Sequence, residues 1–367
     1  MKVLLVTDDL LPGGISRHVV DLANGLHQKG IAITVAATDG KFRTFLNQRI
    51  QFIPLYLLKE DSFSKKFFGV IPSFFALTKL IRDTHFDIIH SHKRFSHFLL
   101  SMMQKGNTKH ITSYHNVFKG KHLLSVFGEC TICCSDAVKS MVLSQYNGIA
   151  SNVVTVYNGI DPLAIHNEEQ KRETFARLSL NPDARVIASV GQFIPAKDHE
   201  TIIRSIKILY AHQQLENVMF VLLGFGQLKG RLENLVDYLG LREHIMFVDE
   251  MFNVEALFNI SEFMILNPKH SEGFGIVMLE AASIGKIHIG TSVGGIPEFI
   301  SAGETGVLVP PKDPKALATA ILHLLDYPAE NRRMGENAKR KFEKLFKVER
   351  MVEEIVSVYD NVCREKQ

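Results

Sequence analysis

Twice along this chain a short apolar run gives way to a turn and then to apolar residues at helical spacing, and the pattern repeats within each half. Residues 3–6, Val-Leu-Leu-Val, read as a buried strand; Pro12-Gly13-Gly14 makes a turn; residues 17–26 carry apolar positions at helical spacing; residues 31–37 are the next strand. Further strands are expected at 87–90, 110–113 and 131–134. The pattern restarts after Asn158-Gly159-Ile160-Asp161-Pro162 and a polar stretch at 166–172, with strands expected at 186–190, 219–223, 245–248, 263–266 and 286–289. Runs this apolar are buried on both faces, and helices between them make the sheet parallel. The expected fold class is therefore α/β with two doubly wound, Rossmann-like domains. Their expected extents are 1–160 and 161–347, hinged near 158–172, with a final helix over about 348–367 packing back on the first.

A length of 367 residues agrees with two domains, because single cores rarely grow beyond about 250–300 residues. With 46% apolar and 22% charged residues the chain is neither disordered nor fibrous. The opening apolar run reaches Asp8 and Asp9 at once, too soon for a secretory signal. Residues 67–81 are broken by Pro72, Ser73, Thr78 and Lys79 and fall short of a span of about 20 residues. A cytoplasmic protein is expected. Cys130, Cys133 and Cys134 have no second Cys or His pair at zinc-finger spacing and read as buried thiols.

A net charge of +3 supports no nucleic-acid partner. Its distribution is uneven: residues 1–160 hold 18 Lys and Arg against 10 Asp and Glu, and the remainder 24 against 29. The basic half faces either solvent or something anionic, a phosphorylated acceptor or a membrane surface. Lys65-Lys66-Phe67-Phe68, with Lys59 and Phe63, reads as an ordinary surface helix or as a basic amphipathic patch peripheral to an anionic membrane.

Each strand-to-helix junction offers backbone N–H groups and a helix N-terminus suited to an anion. Gly13 and Gly14 follow the first strand and serve equally as a plain turn or as a ligand loop. Gly224-Phe225-Gly226 follows a strand, but its third glycine, Gly230, lies one residue too far for a dinucleotide fingerprint. The strongest local signal is Glu272-Gly273-Phe274-Gly275, with Glu280 inside the helix it opens. Bare amides and the positive helix end suit an anion or a sugar oxygen, and Glu280 suits vicinal ribose hydroxyls. His90 and His92, two apart on a strand, share a face; as metal ligands they lack a third, and an acceptor-side polar role is preferred.

These motifs resemble those of glycosyltransferase family 4, the retaining enzymes of the GT-B fold. Glu272 to Glu280 is similar to that family's E-x7-E motif. Pro12-Gly13-Gly14 resembles its N-terminal glycine loop, the run ending His90-Ser91-His92 its His-x-His strand, and Thr112-Ser113-Tyr114-His115-Asn116 the segment with its catalytic-site histidine. Asn158-Gly159-Ile160-Asp161 resembles the hinge, Val190-Gly191-Gln192 through Lys197 the diphosphate segment, and Gly294-Gly295-Ile296-Pro297-Glu298 a further motif. The resemblance implies two domains facing across a cleft, with a UDP- or GDP-linked sugar donor on the second. Gly13, Gly14, Gln192, Gly224, Gly226, Phe274 and Gly275 would line it, Lys197 and the amides after Gly273 would hold the diphosphate, Glu280 the ribose, and Glu272 the transferred sugar. His115 would reach that sugar from the first domain, and the acceptor would be a glycan or lipid-linked molecule. Gln192 departs from the family's usual arginine, and Asp198 from its frequent glycine.

No Asp-x-Asp pair occurs, so no cofactor or metal is expected, and Lys197, helix ends and amides would stabilise the departing diphosphate. As in the family, front-face displacement with the leaving phosphate taking the acceptor proton is expected. A sugar-nucleotide epimerase of the same architecture and a non-catalytic nucleotide-sugar-binding subunit are the competing readings.

Overall fold

The computed structural model describes residues 1–57, 63–118, 125–145, 152–249, 253–270 and 272–364, without the side chains of 63–69. The chain divides into two compact units, Met1–Asp161 with Phe346–Gln367, and Pro162–Leu345. Each is a parallel sheet covered by helices.

In the first unit the strands are β1 (Lys2–Asp9), β2 (Ala32–Thr38), β3 (Gln51–Leu55), β4 (Ile88–Ser91), β5 (Lys109–Tyr114), β6 (Cys130–Cys133) and β7 (Val153–Thr155), in spatial order β3-β2-β1-β4-β5-β6-β7. Every residue of β1 after Lys2 is buried, as a central parallel strand requires. Helices α1 (Gly14–Gln28), α2 (Phe63–Thr84), α3 (Arg94–Ser101) and α4 (Asp136–Gln145) make the connections. Among the described residues no helix is long and apolar enough to cross a membrane.

The second unit runs α5 (Glu168–Arg177), β8 (Arg185–Val190), α6 (His199–Ala211), β9 (Val218–Leu223), α7 (Lys229–Tyr238), β10 (Ile245–Val248), α8 (Val254–Ile260), β11 (Ser261–Leu266), α9 (Ile276–Ser283), β12 (His288–Thr291), α10 (Ile296–Phe299), β13 (Val307–Val309), α11 (Pro314–Asp326) and α12 (Pro328–Leu345). Its sheet order is β10-β9-β8-β11-β12-β13. Strands β3, β7 and β13 have no counterpart in the sequence reading, and all three are sheet edges. Edge strands can be short and can hold a proline, so their sequences carry a weak signal. Pro54 lies in β3, and β7 and β13 have three residues each.

Helix α13 (Val348–Arg364) belongs to the first unit. Its Val348, Met351, Val352, Ile355, Tyr359 and Val362 are buried at helical spacing in one cluster with Val19, Leu22 and Leu26 of α1. Gly25 permits the approach, since a Cβ there would lie 2.5 Å from Val352 Cγ2. Before α13, Ile160 donates to the Phe346 carbonyl and accepts from Val348 N at 3.1 and 3.2 Å. Those bonds tie the two places where the chain crosses between units. At the far end, the Tyr359 hydroxyl lies 2.7 Å from His90 Nδ1, both residues fully buried.

Removing that hydroxyl leaves a buried imidazole nitrogen without a partner. Tyr359→Phe should lower unfolding stability by about 1–3 kcal/mol, read from urea denaturation with unchanged circular dichroism; an unaltered midpoint would show that Tyr359 only packs.

Candidate functional site

Strand order reverses between β1 and β4 in the first sheet and between β8 and β11 in the second. At such a point the connections depart to opposite sides and leave a crevice beyond the carboxyl ends of the two strands, where open α/β sheets bind ligands. Both groups of sequence-predicted residues lie there.

In the second unit β8 leads to Gly191, Gln192 and a 3-10 turn, Pro195–Lys197, while β11 leads to Asn267 and on to Glu272. Lys197 Nζ donates to Glu272 Oε2 at 2.5 Å, with Glu272 9% exposed. The two residues given separate roles by the resemblance are thus an ion pair here. Gly275 has φ 89° and opens α9, and Glu280 follows by about 7 Å along the helix axis, half-buried. Phe274 is 2% exposed and packs as an anchor for this loop.

Several glycines are required by close approach. A Cβ on Gly224 would meet the Gly191 carbonyl oxygen at 2.0 Å, and one on Gly226 the Phe193 oxygen at 2.6 Å. Gly294, with φ 54°, would place a Cβ 1.8 Å from the Glu272 oxygen, and Gly295 N donates to that same oxygen at 3.1 Å. These loops therefore brace the turns bearing Lys197 and Glu272. Gly13 differs: among the described residues nothing lies within 4 Å of a Cβ there, so their packing does not demand glycine.

The two departures from the family have different physical standing. Asp198 has φ 51° and ψ 46°, a left-handed conformation that glycine adopts freely and Asp tolerates better than most. Its carboxylate accepts from Thr201 Oγ1 at 2.8 Å and pairs with Lys269 Nζ at 3.1 Å. Gln192 is half-buried, and its backbone carbonyl accepts from Ile194 N. Sequence reasoning did not single out Lys269, which hydrogen-bonds through its backbone N–H to the Ala196 carbonyl and so sits beside Lys197.

In the first unit, Lys93 donates to Asp9 at 2.6 Å, and Asp8 accepts from the backbone and hydroxyl of Ser96, which joins the ends of β1 and β4. Beside them stand six histidines. His92 Nδ1 is 3.3 Å from His115 Nε2, and the rings of His18 and His115 lie 4.6 Å apart. The rings of His90 and His92 lie 4.1 Å apart, tilted by 37°. His97 Nδ1 and His110 Nε2 both meet Ser91 Oγ, at 2.6 and 2.8 Å.

The acceptor-side role expected of His90 does not hold. The residue is fully buried, with Nδ1 on Tyr359 and Nε2 on Ser113 Oγ at 2.7 Å, so no ring nitrogen remains for a substrate. His92, 1% exposed, keeps Nε2 without a hydrogen bond among the described residues. His18 was missed by sequence reading, although it lies four residues after Gly14 on the inner face of α1. Burial drives His18 down to about 4, with Asn158 acting in the opposite sense, and His97 and His110 to about 3. His90, His92 and His115 are lowered far below the ordinary imidazole value, by burial first and then by neighbouring histidines, with Lys93 adding to the effect on His115.

The side chains of the Lys65, Lys66, Phe67 and Phe68 patch, with Phe63 and Lys59, lie outside the described residues. Cys130, Cys133 and Cys134 are buried as thiols.

Both units are the doubly wound halves of the GT-B glycosyltransferase fold. The Anabaena protein HepE, solved in complex with UDP-glucose, matches with a TM-score of 0.85 over 98% of this chain and 100% of its own, at 18% identity. Residues 12–162 match the model for glycosyltransferase family 4 and residues 170–341 the model for glycosyl transferases group 1. The chain belongs to this family and is a glycosyltransferase. A glycosyltransferase of Methanocaldococcus jannaschii is 27% identical, covering 98% of each chain, and the O-antigen chain mannosyltransferase C of Escherichia coli is 25% identical, covering 100% of each.

The histidines make the first unit acid-sensitive. A folded-state value below the unfolded 6.5 means that the unfolded chain binds more protons between the two, so stability held above about pH 6.5 is lost as pH falls. For His18 alone the loss approaches about 3 kcal/mol by pH 4. Asp21, raised to about 6 by burial despite Arg17, opposes this, since its contribution grows on acidification. Urea unfolding at about pH 7.5 and about pH 5 should show lower stability at the lower pH; the opposite slope would refute neutral burial of the cluster.

Proposed function

We propose that this enzyme transfers a hexose or N-acetylhexosamine, with retention of anomeric configuration, from a UDP- or GDP-linked donor to a glycan or lipid-linked acceptor. Cell-envelope polysaccharide assembly, such as lipopolysaccharide or capsule, is the setting that the O-antigen relative supports. The observation that carries the reading is the Lys197–Glu272 pair at the second switch point, beside the N-terminus of α9 and upstream of Glu280.

In this reading Glu280 accepts from the ribose hydroxyls, and the amides from Gly273 to Gly275 with Lys197 hold the diphosphate. Glu272 accepts from hydroxyls of the transferred sugar. Gly13, Gly14, Gln192, Gly224 and Gly226 belong to the loops around the donor. His115 acts on the reacting sugar, and His92 remains the acceptor-side candidate. As the sugar leaves, negative charge grows on the diphosphate, and a fixed cation stabilises that charge more than it does the ground state. Lys197 supplies it once Glu272 turns to the sugar. The leaving phosphate takes the acceptor proton on the same face, so the chain supplies no general base. No divalent metal is needed for turnover: activity should survive EDTA, and loss restored by Mg²⁺ or Mn²⁺ would overturn this. The basic first half, read as a peripheral contact with anionic membrane, supports a lipid-linked acceptor at the inner face of the cytoplasmic membrane.

Two sets of variants test the assignments. Lys197→Ala should lower kcat/KM by roughly ten- to more than a hundredfold, corresponding to about 1.5–3 kcal/mol for a charge-assisted hydrogen bond. Wild-type kinetics in that variant would place the diphosphate elsewhere. Glu280→Ala should weaken calorimetric binding of UDP or GDP itself, whereas Glu272→Ala should leave the bare nucleotide bound at least as tightly and weaken only the sugar-bearing donor. Equal losses of nucleotide affinity would dismiss that division of roles. Product analysis by NMR checks retention of configuration.

A further inference from the structure

We propose that His18, His92 and His115 form a binding site for one divalent ion of the zinc class, and that the bound ion blocks sugar transfer. Their ligand atoms all lie within 4.8 Å of one another, one from each imidazole. Tetrahedral zinc, with Zn–N of about 2.0–2.1 Å, sets ligand nitrogens about 3.4 Å apart. His92 Nδ1 and His115 Nε2 already stand at 3.3 Å. His18 then needs to close by up to about 1.5 Å, within the reach of ring rotation.

A second observation points to a ligand. Both nitrogens of His18, which is 3% exposed, are buried and among the described residues make no hydrogen bond of ordinary geometry, Asn158 being the side chain that acts on the ring. Unpaired buried polar atoms are rare and costly, and they concentrate where an ion or a substrate completes the set. Three imidazoles without a carboxylate or thiolate suit zinc, cobalt, nickel or copper and disfavour magnesium, which takes hard oxygen ligands. The surroundings fit too. Asn158 Oδ1 is likewise buried without a partner and acts on His18, so it can accept from the His18 nitrogen that the ion leaves free. His90 is committed to Tyr359 and Ser113 and takes no part, and Lys93 is neutralised by Asp9. Three protein ligands leave one position for water.

The blocking effect rests on the reading that His115 acts on the sugar; the site itself does not. The test uses the full, chelator-stripped chain carrying Cys363→Ser, since Cys363 is the exposed thiol. Cobalt(II) titration should give one ion per chain with the visible absorption of a low-coordinate nitrogen-ligated centre, displaced by zinc. His18→Gln and His92→Gln should each weaken binding by at least about tenfold, and Asn158→Ala, which removes no ligand, should weaken it by about tenfold as well. Should the histidine variants not fold, Asn158→Ala and the shift of His18 ring signals in the NMR spectrum on adding zinc carry the same decision. No stoichiometric cobalt binding, or binding unaffected by these substitutions, would overturn the site. Zinc should also inhibit transfer over the range in which it displaces cobalt. Binding without inhibition would keep the site and overturn instead the role given to His115.

Discussion

Parallel pairing constrains everything else in this molecule. A parallel strand can join its neighbour only through a crossover, and the covering helices leave both sheet faces dry. Charged side chains are then confined to the strand ends, and the place where crossovers part is set by strand order. In both sheets the first strand of the unit, β1 or β8, lies beside a strand reached by the return crossover, β4 or β11. Lys197 and Glu272 follow the carboxyl ends of β8 and β11, and His92 follows β4. Chemistry is collected at these points because nowhere else in the sheet can hold it.

Glycine serves this arrangement in two ways that the sequence does not distinguish. At Gly224, Gly226 and Gly294 it lets one loop's carbonyl approach another loop, so the turns bearing Lys197 and Glu272 brace each other. At Gly13 no neighbour competes for the space, and the residue's smallness serves whatever approaches the N-terminus of α1. Asp198 completes the logic. A position that suits glycine for its left-handed backbone accepts Asp because the side chain gains Thr201 and Lys269 as partners.

Much of this was legible in the sequence, for physical reasons. Central strands such as β1 and β9 are continuous apolar runs, and the Glu272–Glu280 motif is local, so both survive reading in one dimension. The edges β3, β7 and β13 are short or interrupted and fade into the loops around them. The histidine cluster was half visible: His90, His92 and His115 stand in recognisable segments, whereas His18, His97 and His110 join them only through the sheet. His90 shows the limit most clearly. Its position at a strand end suggested substrate, but its partner Tyr359 comes from α13, 269 residues away, and no spacing rule connects them.

Under the proposed function, the Lys197–Glu272 pair governs how the donor is received. In the free protein each charge satisfies the other, and Glu272 is nearly buried, so a ligand must replace that interaction rather than add to it. A nucleoside diphosphate alone offers Lys197 a new anion but leaves Glu272 with nothing to accept from; a sugar nucleotide offers both at once, phosphate oxygens to the lysine and hydroxyl donors to the glutamate. Separating a nearly buried pair is costly when one partner is left bare. Discrimination between donor and spent nucleotide is thereby built into the resting pair. Gln192, neutral where arginine is usual, sharpens it: with Lys269 held by Asp198, the diphosphate depends on the lysine that Glu272 releases only in exchange for the sugar.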